Sequence, residues 1–186
     1  MKDVQLRDEL LCLRRARMSE APQLARAVRL SLDALAPYLP WAQPSYDVAA
    51  AREFLEFSRE EARRGRGLHL NVFDLESEEL IGGVGLMLRP GNQSGELGYW
   101  IRSDRAGDGL ATHAAGLLAE YGFGPLGLRR LYLTCDVVNR ASRRVAEKLG
   151  MRREGRLRSF MLHHGAPRDH YLYAVLAEEF RPAFRG

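Results

Sequence analysis

The sequence predicts a mixed α/β sheet of the α+β kind, and three observations carry that reading. Apolar residues recur at alternating and at helical spacing in the order β α α β β β α β α β β, so strands cluster rather than alternate regularly with helices. One passage, the fourth strand through the third helix to the fifth strand, is a βαβ crossover, which sets those two strands side by side and parallel. The 186 residues are 46% hydrophobic and 28% charged, enough for one domain over residues 1–186 with a single sizeable core.

Each element has its own signal. "DELLCLRRA" alternates and reads as the first strand. Ser19 then serves as an N-cap for a helix in which Leu24, Ala27, Val28, Ser31 and Leu35 share one face, ended by Pro37 and Pro40. "LPWAQPS" is a loop. A second helix places Ala51, Phe54, Leu55, Ser58 and Ala62 together and closes at "RRGRG". "LHLNVFDL" and "LIGGVGLML", parted by the polar "ESEE", form a hairpin. "GELGYWIRS" is the fourth strand, and Leu110, Ala114, Leu117, Leu118 and Tyr121 mark the third helix. In "RRLYLTCDVV", the fifth strand, Leu131, Leu133, Cys135 and Val137 point one way. A short fourth helix follows, with Ser142, Val145, Ala146 and Leu149 on one face and Gly150 at its end. "LRSFML" and "DHYLYAVL" flank "HHGAPR" as a terminal hairpin.

Composition excludes several classes. No apolar run approaches a membrane span, and the first residues are too charged for a secretory signal, so a soluble cytoplasmic protein is expected. Cys12 and Cys135 fall in strands, without spacing that suggests a disulfide framework or zinc, and read as free core thiols. The net charge of +4 comes from arginines dispersed along the chain, and no RNA- or DNA-binding motif appears, so direct nucleic-acid binding is not expected. Adjacent histidines on a strand point to opposite faces, so His163 and His164, with His170, predict no metal site. Tyr99, Tyr132, Tyr171 and Tyr173 follow strand periodicity and read as core or sheet-face residues.

The chemistry concentrates in two places. In "SDRAGDGLATHAAG" a strand ends and a helix begins, and a helix start presents unpaired N–H groups and positive partial charge. Gly107 and Gly109 let the chain turn tightly and let a phosphate approach without meeting a β-carbon, and Arg105 offers a charge-assisted contact. The other reading of the same residues is an ordinary glycine turn. No Walker A pattern occurs, and "GFGPLG" follows a helix instead of a strand, the wrong context for a dinucleotide fingerprint. The second place is "NRASRRVAEKLGMRREGRLR". Here Asn139 either caps the fourth helix or bonds a ligand, and Ser142 lies in that helix's first turn. Both places sit at the carboxyl ends of adjacent parallel strands, where open α/β sheets bind ligands.

"GELGYWI", "GDGLATHA" and "NRASRRVAEKLGMRREGRLR" together resemble the successive motifs of the GNAT superfamily of acetyl-CoA-dependent N-acetyltransferases. With "LPWAQP" they are most similar to the ribosomal-protein N-terminal acetyltransferases, the RimJ and RimL type. The resemblance runs from about Leu10 to Leu176 and implies the acyl-CoA N-acyltransferase fold, with the fourth and fifth strands splayed. It implies acetyl-CoA as co-substrate, its pantetheine arm pairing with backbone near Trp100 and Ile101. The pyrophosphate would rest on the turn of Arg105, Ala106, Gly107, Asp108, Gly109, Leu110 and Ala111. Asn139 would bond the pantetheine arm and Ser142 the thioester sulfur. The family's Gln/Arg-x-x-Gly-x-Gly/Ala pattern falls on Ala106, Gly109 and Ala111, so its first side chain is missing here. Where some members carry a sixth-strand glutamate, this chain has Met161 nearby.

The implied reaction is direct attack of a neutral amine on the thioester in a ternary complex. Glu96, on the side of the fourth strand shared with Gly98 and Trp100, is the candidate base acting through water. An α-amino group, with a pKa near about 7.7 to 8.0, asks less of a base than a lysine near about 10.4. A protein N-terminus is therefore the expected acceptor. A small amine such as an aminoglycoside or polyamine, or a CoA-binding sensor without turnover, are the alternatives. Trp41 is either a core plug or a wall of the acceptor groove. Pairing of two copies through the terminal hairpin is left open.

Overall fold

A computed structural model describes residues 4–181. Its sheet has eight strands in the order β1-β2-β3-β4-β5-β6-β8-β7. They are β1 (Gln5–Arg7), β2 (Leu11–Arg14), β3 (Gly67–Asp74), β4 (Leu80–Arg89), β5 (Ser94–Ile101), β6 (Arg130–Asp136), β7 (Arg152–His163) and β8 (Ala166–Leu176). The helices are α1 (Ala21–Arg29), α2 (Leu32–Leu35), α3 (Val48–Arg63), α4 (Leu110–Phe123) and α5 (Arg140–Lys148). Every neighbouring pair is antiparallel except β5 and β6, which the α4 crossover makes parallel.

The sheet is covered on both faces, because alternate residues of each strand go to opposite layers. Leu11 and Leu13 join one cluster with Leu68, Leu86, Leu131 and the α4 residues Ala114, Ala115 and Leu118. Cys12 joins the other with Phe73, Leu80, Leu24 and Val28 of α1, and Ala51 and Leu55 of α3. Both cysteines are buried and free. Among the described residues, no helix is long and apolar enough to cross a membrane.

The predicted order holds, with four differences. The short edge strand β1 precedes the first expected strand. Ser19 is not a cap: it lies inside a 3-10 turn, Met18–Glu20, where the Glu20 carboxylate accepts the Arg17 amide at 2.6 Å. The first helix breaks at Ser31, a buried residue whose hydroxyl accepts the Ser103 amide at 2.9 Å, while the Ser103 hydroxyl donates to the Leu30 carbonyl at 3.0 Å. That break pins the loop after β5 to the end of α1. Finally, β7 begins at Arg152, because exposed charges on an edge strand hide its alternation while protecting it from pairing with another chain.

Candidate active site

The site lies where β5 and β6 part. Their parallel pairing covers only Ser94 with Arg130, Gly95 with Leu131 and Glu96 with Tyr132, although β5 runs on to Ile101 and β6 to Asp136. On its other side β5 stays paired with β4 as far as Ile101. Beyond Glu96 the β6-facing edge of β5, including Ile101, therefore keeps backbone groups free for an extended ligand, whereas Trp100 turns its backbone to β4.

The turn beyond β5 provides a cluster of donors. Gly107 has φ 109 and Gly109, the N-cap of α4, has φ 80, both conformations that suit glycine. Among the described residues no hydrogen bond takes the amides of residues 107–111, and the first helical donor to be satisfied is the His113 amide, on the Gly109 carbonyl at 3.0 Å. Gly107, Asp108, Gly109, Leu110 and Ala111 thus present open N–H groups where the α4 dipole is positive. A Cβ at Gly107 or Gly109 would meet nothing within 4 Å, so the space above the turn is clear. This set fits a diphosphate.

Two residues of the expected cradle do not serve as foreseen. The amides of Arg105 and Ala106 are consumed by a 3-10 turn, donating to Arg102 and Ser103 carbonyls at 3.0 and 3.2 Å. The Arg105 guanidinium is held by Asp74 at 2.5 Å, at the end of β3. Asp74 is fixed in turn by the Ser77 amide and hydroxyl, each at 2.8 Å, and these bonds with Arg105 hold its carboxyl down at about 2. Arg105 therefore braces the loop from behind.

On the α4 and α5 side of the gap stand Asn139, Ser142 and Tyr99. Asn139 caps α5, its side-chain oxygen accepting the Ser142 amide at 3.0 Å, which settles the capping reading and leaves its amide nitrogen available. Ser142 is half-buried. Its Oγ lies 2.8 Å from the Tyr99 hydroxyl, which also donates to the Ser142 carbonyl at 3.1 Å. Tyr99, read from sequence as core or sheet face, is thus a hydrogen-bonded neighbour of Ser142. Its alternation within "GELGYWI" signalled only the face it occupies. Burial pushes its phenol above the usual value, keeping it protonated as a donor. Burial likewise pushes the Cys135 thiol up, against a hydrogen bond from Ser142.

The opposite side of the gap carries Glu96, Gly98 and Trp100. Glu96, half-buried at the point of divergence, accepts the Thr134 hydroxyl at 3.1 Å. Gly98 is exposed, with nothing within 4 Å of a Cβ. Trp100 lies over Gly83, where a Cβ would come within 2.7 Å of the indole nitrogen. Trp41 meets Trp100 edge-on at 6.1 Å between centroids and tilts on Tyr46 at 5.9 Å. Trp41 is exposed, so it does not plug the core. Burial pushes the Tyr46 phenol up to about 12. Glu96 and Ser142 therefore belong to opposite faces of the sheet. His163 and His164, expected on opposite faces, are instead brought to 4.4 Å between ring centroids by the hairpin turn. No group of three side chains suited to a metal occurs among the described residues.

This arrangement defines an acyltransferase-type fold, and comparison with known proteins makes it specific. The Acetyltransferase (GNAT) domain family matches residues 11–152, and the chain belongs to that family. It is 32% identical to YoaA, an uncharacterized N-acetyltransferase of Bacillus subtilis, over 60% of this chain and 63% of that protein, just under two thirds of the relative's length. It is 32% identical to the ribosomal-protein-serine acetyltransferase of Escherichia coli, over 62% of this chain and 64% of that one. The solved structure of Mycobacterium smegmatis RimJ in complex with CoA-disulfide superposes with a TM-score of 0.86 at 29% identity, covering 97% of this chain and 90% of that one.

Proposed function

We propose that the chain, as one catalytic unit in the cytoplasm, transfers acetyl from acetyl-CoA to a protein N-terminal α-amine by direct attack in a ternary complex. The observation that carries this reading is the early end of β5 and β6 pairing beside the open amides of residues 107–111. Pantetheine would extend along the free edge of β5 near Trp100 and Ile101, with the diphosphate on the amides of the turn. The likeness to RimJ and to the ribosomal-protein-serine acetyltransferase supports a protein N-terminus as the acceptor.

The acceptor would enter over Gly98 between Trp100 and Glu96. Its neutral nitrogen attacks the carbonyl carbon, the C–N bond forms, and the C–S bond breaks. The amine's surplus proton passes through water to Glu96. Ser142, hydrogen-bonded to Tyr99, donates to the departing sulfur. Placement of the two reactants supplies much of the acceleration, since the thioester is already activated.

The test is free-thiol release from acetyl-CoA with serine-, alanine- and methionine-initiated peptides, their N-acetylated counterparts, spermidine and an aminoglycoside. Release with the free peptides and none with the blocked ones is expected. Faster turnover of spermidine or the aminoglycoside would reassign the acceptor, and binding of acetyl-CoA without turnover of anything would make the chain a sensor.

A further inference from the structure

Asp136 on β6 and His170 on β8 are register partners, buried to 6% and 7% exposure, and the chemistry above uses neither. They share a face with Glu96. Glu96 pairs with Tyr132, and Tyr132, Thr134 and Asp136 alternate to one side of β6. A carboxylate, a hydroxyl, a second carboxylate and an imidazole thus run in sequence across three strands, on the side where the acceptor would enter.

The environment of His170 is unusual for a histidine that only fills space. Its Nδ1 is sealed from solvent and has no hydrogen-bond partner, whereas buried polar atoms are ordinarily satisfied. Nε2 is left as the atom able to exchange a proton. Phe160 of β7 tilts over the ring at 5.2 Å, and its register partner there is the uncharged Leu157. Asp136 is well anchored: one oxygen accepts the Val138 amide at 2.9 Å and the other lies 3.6 Å from Arg168 Nε. Asp136, Glu96 and Asp169 favour the imidazolium, and Arg168 opposes it. Burial outweighs them and holds His170 below its ordinary value, so it is neutral at pH 7 and free to accept a proton.

We propose that His170, tuned by Asp136, is a positioning residue that relays the acceptor's proton from Glu96 to solvent. The inference rests on the acetyl-transfer reading. Once the neutral amine has attacked, its nitrogen loses the surplus proton through water to Glu96. Glu96 passes it to Nε2, and the imidazolium returns it to water. No electrons are exchanged; the departing thiolate, hydrogen-bonded by Ser142, takes its proton from water, which balances the one released from the amine.

The test compares wild type, His170→Gln, His170→Asn and Asp136→Asn with acetyl-CoA and a serine-initiated peptide. The two His170 variants should lose about tenfold or more in kcat at pH 7, the scale of a proton-transfer contribution, with acetyl-CoA affinity unchanged within about twofold. The acidic limb of kcat, which reports groups in the bound complex, should change in them and move to lower pH in Asp136→Asn. In parallel, NMR titration of the His170 imidazole, with no acceptor present, should show a lower midpoint in Asp136→Asn. An active wild type beside His170 variants of equal kcat and unchanged pH profile overturns the relay alone. A wild type inert toward every acceptor overturns the acetyl-transfer reading, and the relay with it. An NMR midpoint unmoved by Asp136→Asn overturns the tuning, even if one variant fails to fold.

Discussion

Replacing Gly109 with alanine strains the anion cradle without colliding with anything. Gly109 has φ 80 and ψ 0, and a Cβ there would meet no atom within 4 Å, so the entire penalty is conformational. Holding an L-residue in that left-handed region costs about 1–2 kcal/mol. The strain has two outlets. If the turn keeps its shape, the loss appears in the unfolding free energy and acetyl-CoA affinity is preserved. If the free protein relaxes to an unstrained turn, binding must restore the strain, and affinity falls by about 5- to 30-fold. Calorimetric titration with acetyl-CoA and urea unfolding of the same samples measure both terms, whose sum should fall in that range. Gly91→Ala is the control, because Gly91 lies away from the turn, lacks a positive φ, and also has open space around it. Unchanged affinity together with unchanged stability for Gly109→Ala would refute the reasoning.

Other substitutions test the bracing and the sulfur side. Arg105→Ala should cost about 1 kcal/mol in urea unfolding, after allowing for its partial exposure, because it removes a charge-assisted contact to Asp74. It should leave acetyl-CoA affinity within about twofold, whereas a fall of tenfold or more would return Arg105 to the phosphates. Asp74 sits at about 2 in the folded chain against 3.8 ordinarily, so its stabilisation is complete above pH 4 and is lost as pH falls toward 2. Unfolding followed across that window should show a shallower decline in Asp74→Asn than in wild type. Tyr99→Phe removes the hydroxyl that contacts Ser142 and should lower kcat by about three- to tenfold, with acetyl-CoA affinity retained, as steady-state kinetics and titration would show.

Much of this was legible because it is local. Alternation in "GELGYWI" and "RRLYLTCDVV" marks β5 and β6, and the helix between them dictates their parallel pairing. Gly107 and Gly109 betray the turn because positive φ has few other solutions. What escaped depends on contacts between distant segments. Arg105 is consumed by Asp74, which β3 delivers from far upstream, and nothing in "SDRAGDG" announces that partner. Tyr99 and Ser142 meet only because β5 and α5 flank the same gap. Asp136 and His170 face each other through the β6 and β8 register, which a strand pattern does not specify. The polar start of β7 shows the converse limit, since edge strands need not alternate in hydrophobicity.

Backbone amide NMR during titration with acetyl-CoA tests the central claim most directly. Saturable shifts should centre on residues 107–111 and extend along the unpaired edge of β5 over residues 97–101, with the Ser142 amide responding as the thioester arrives. Shifts confined to another face of the sheet, or no saturation at millimolar acetyl-CoA, would contradict the account.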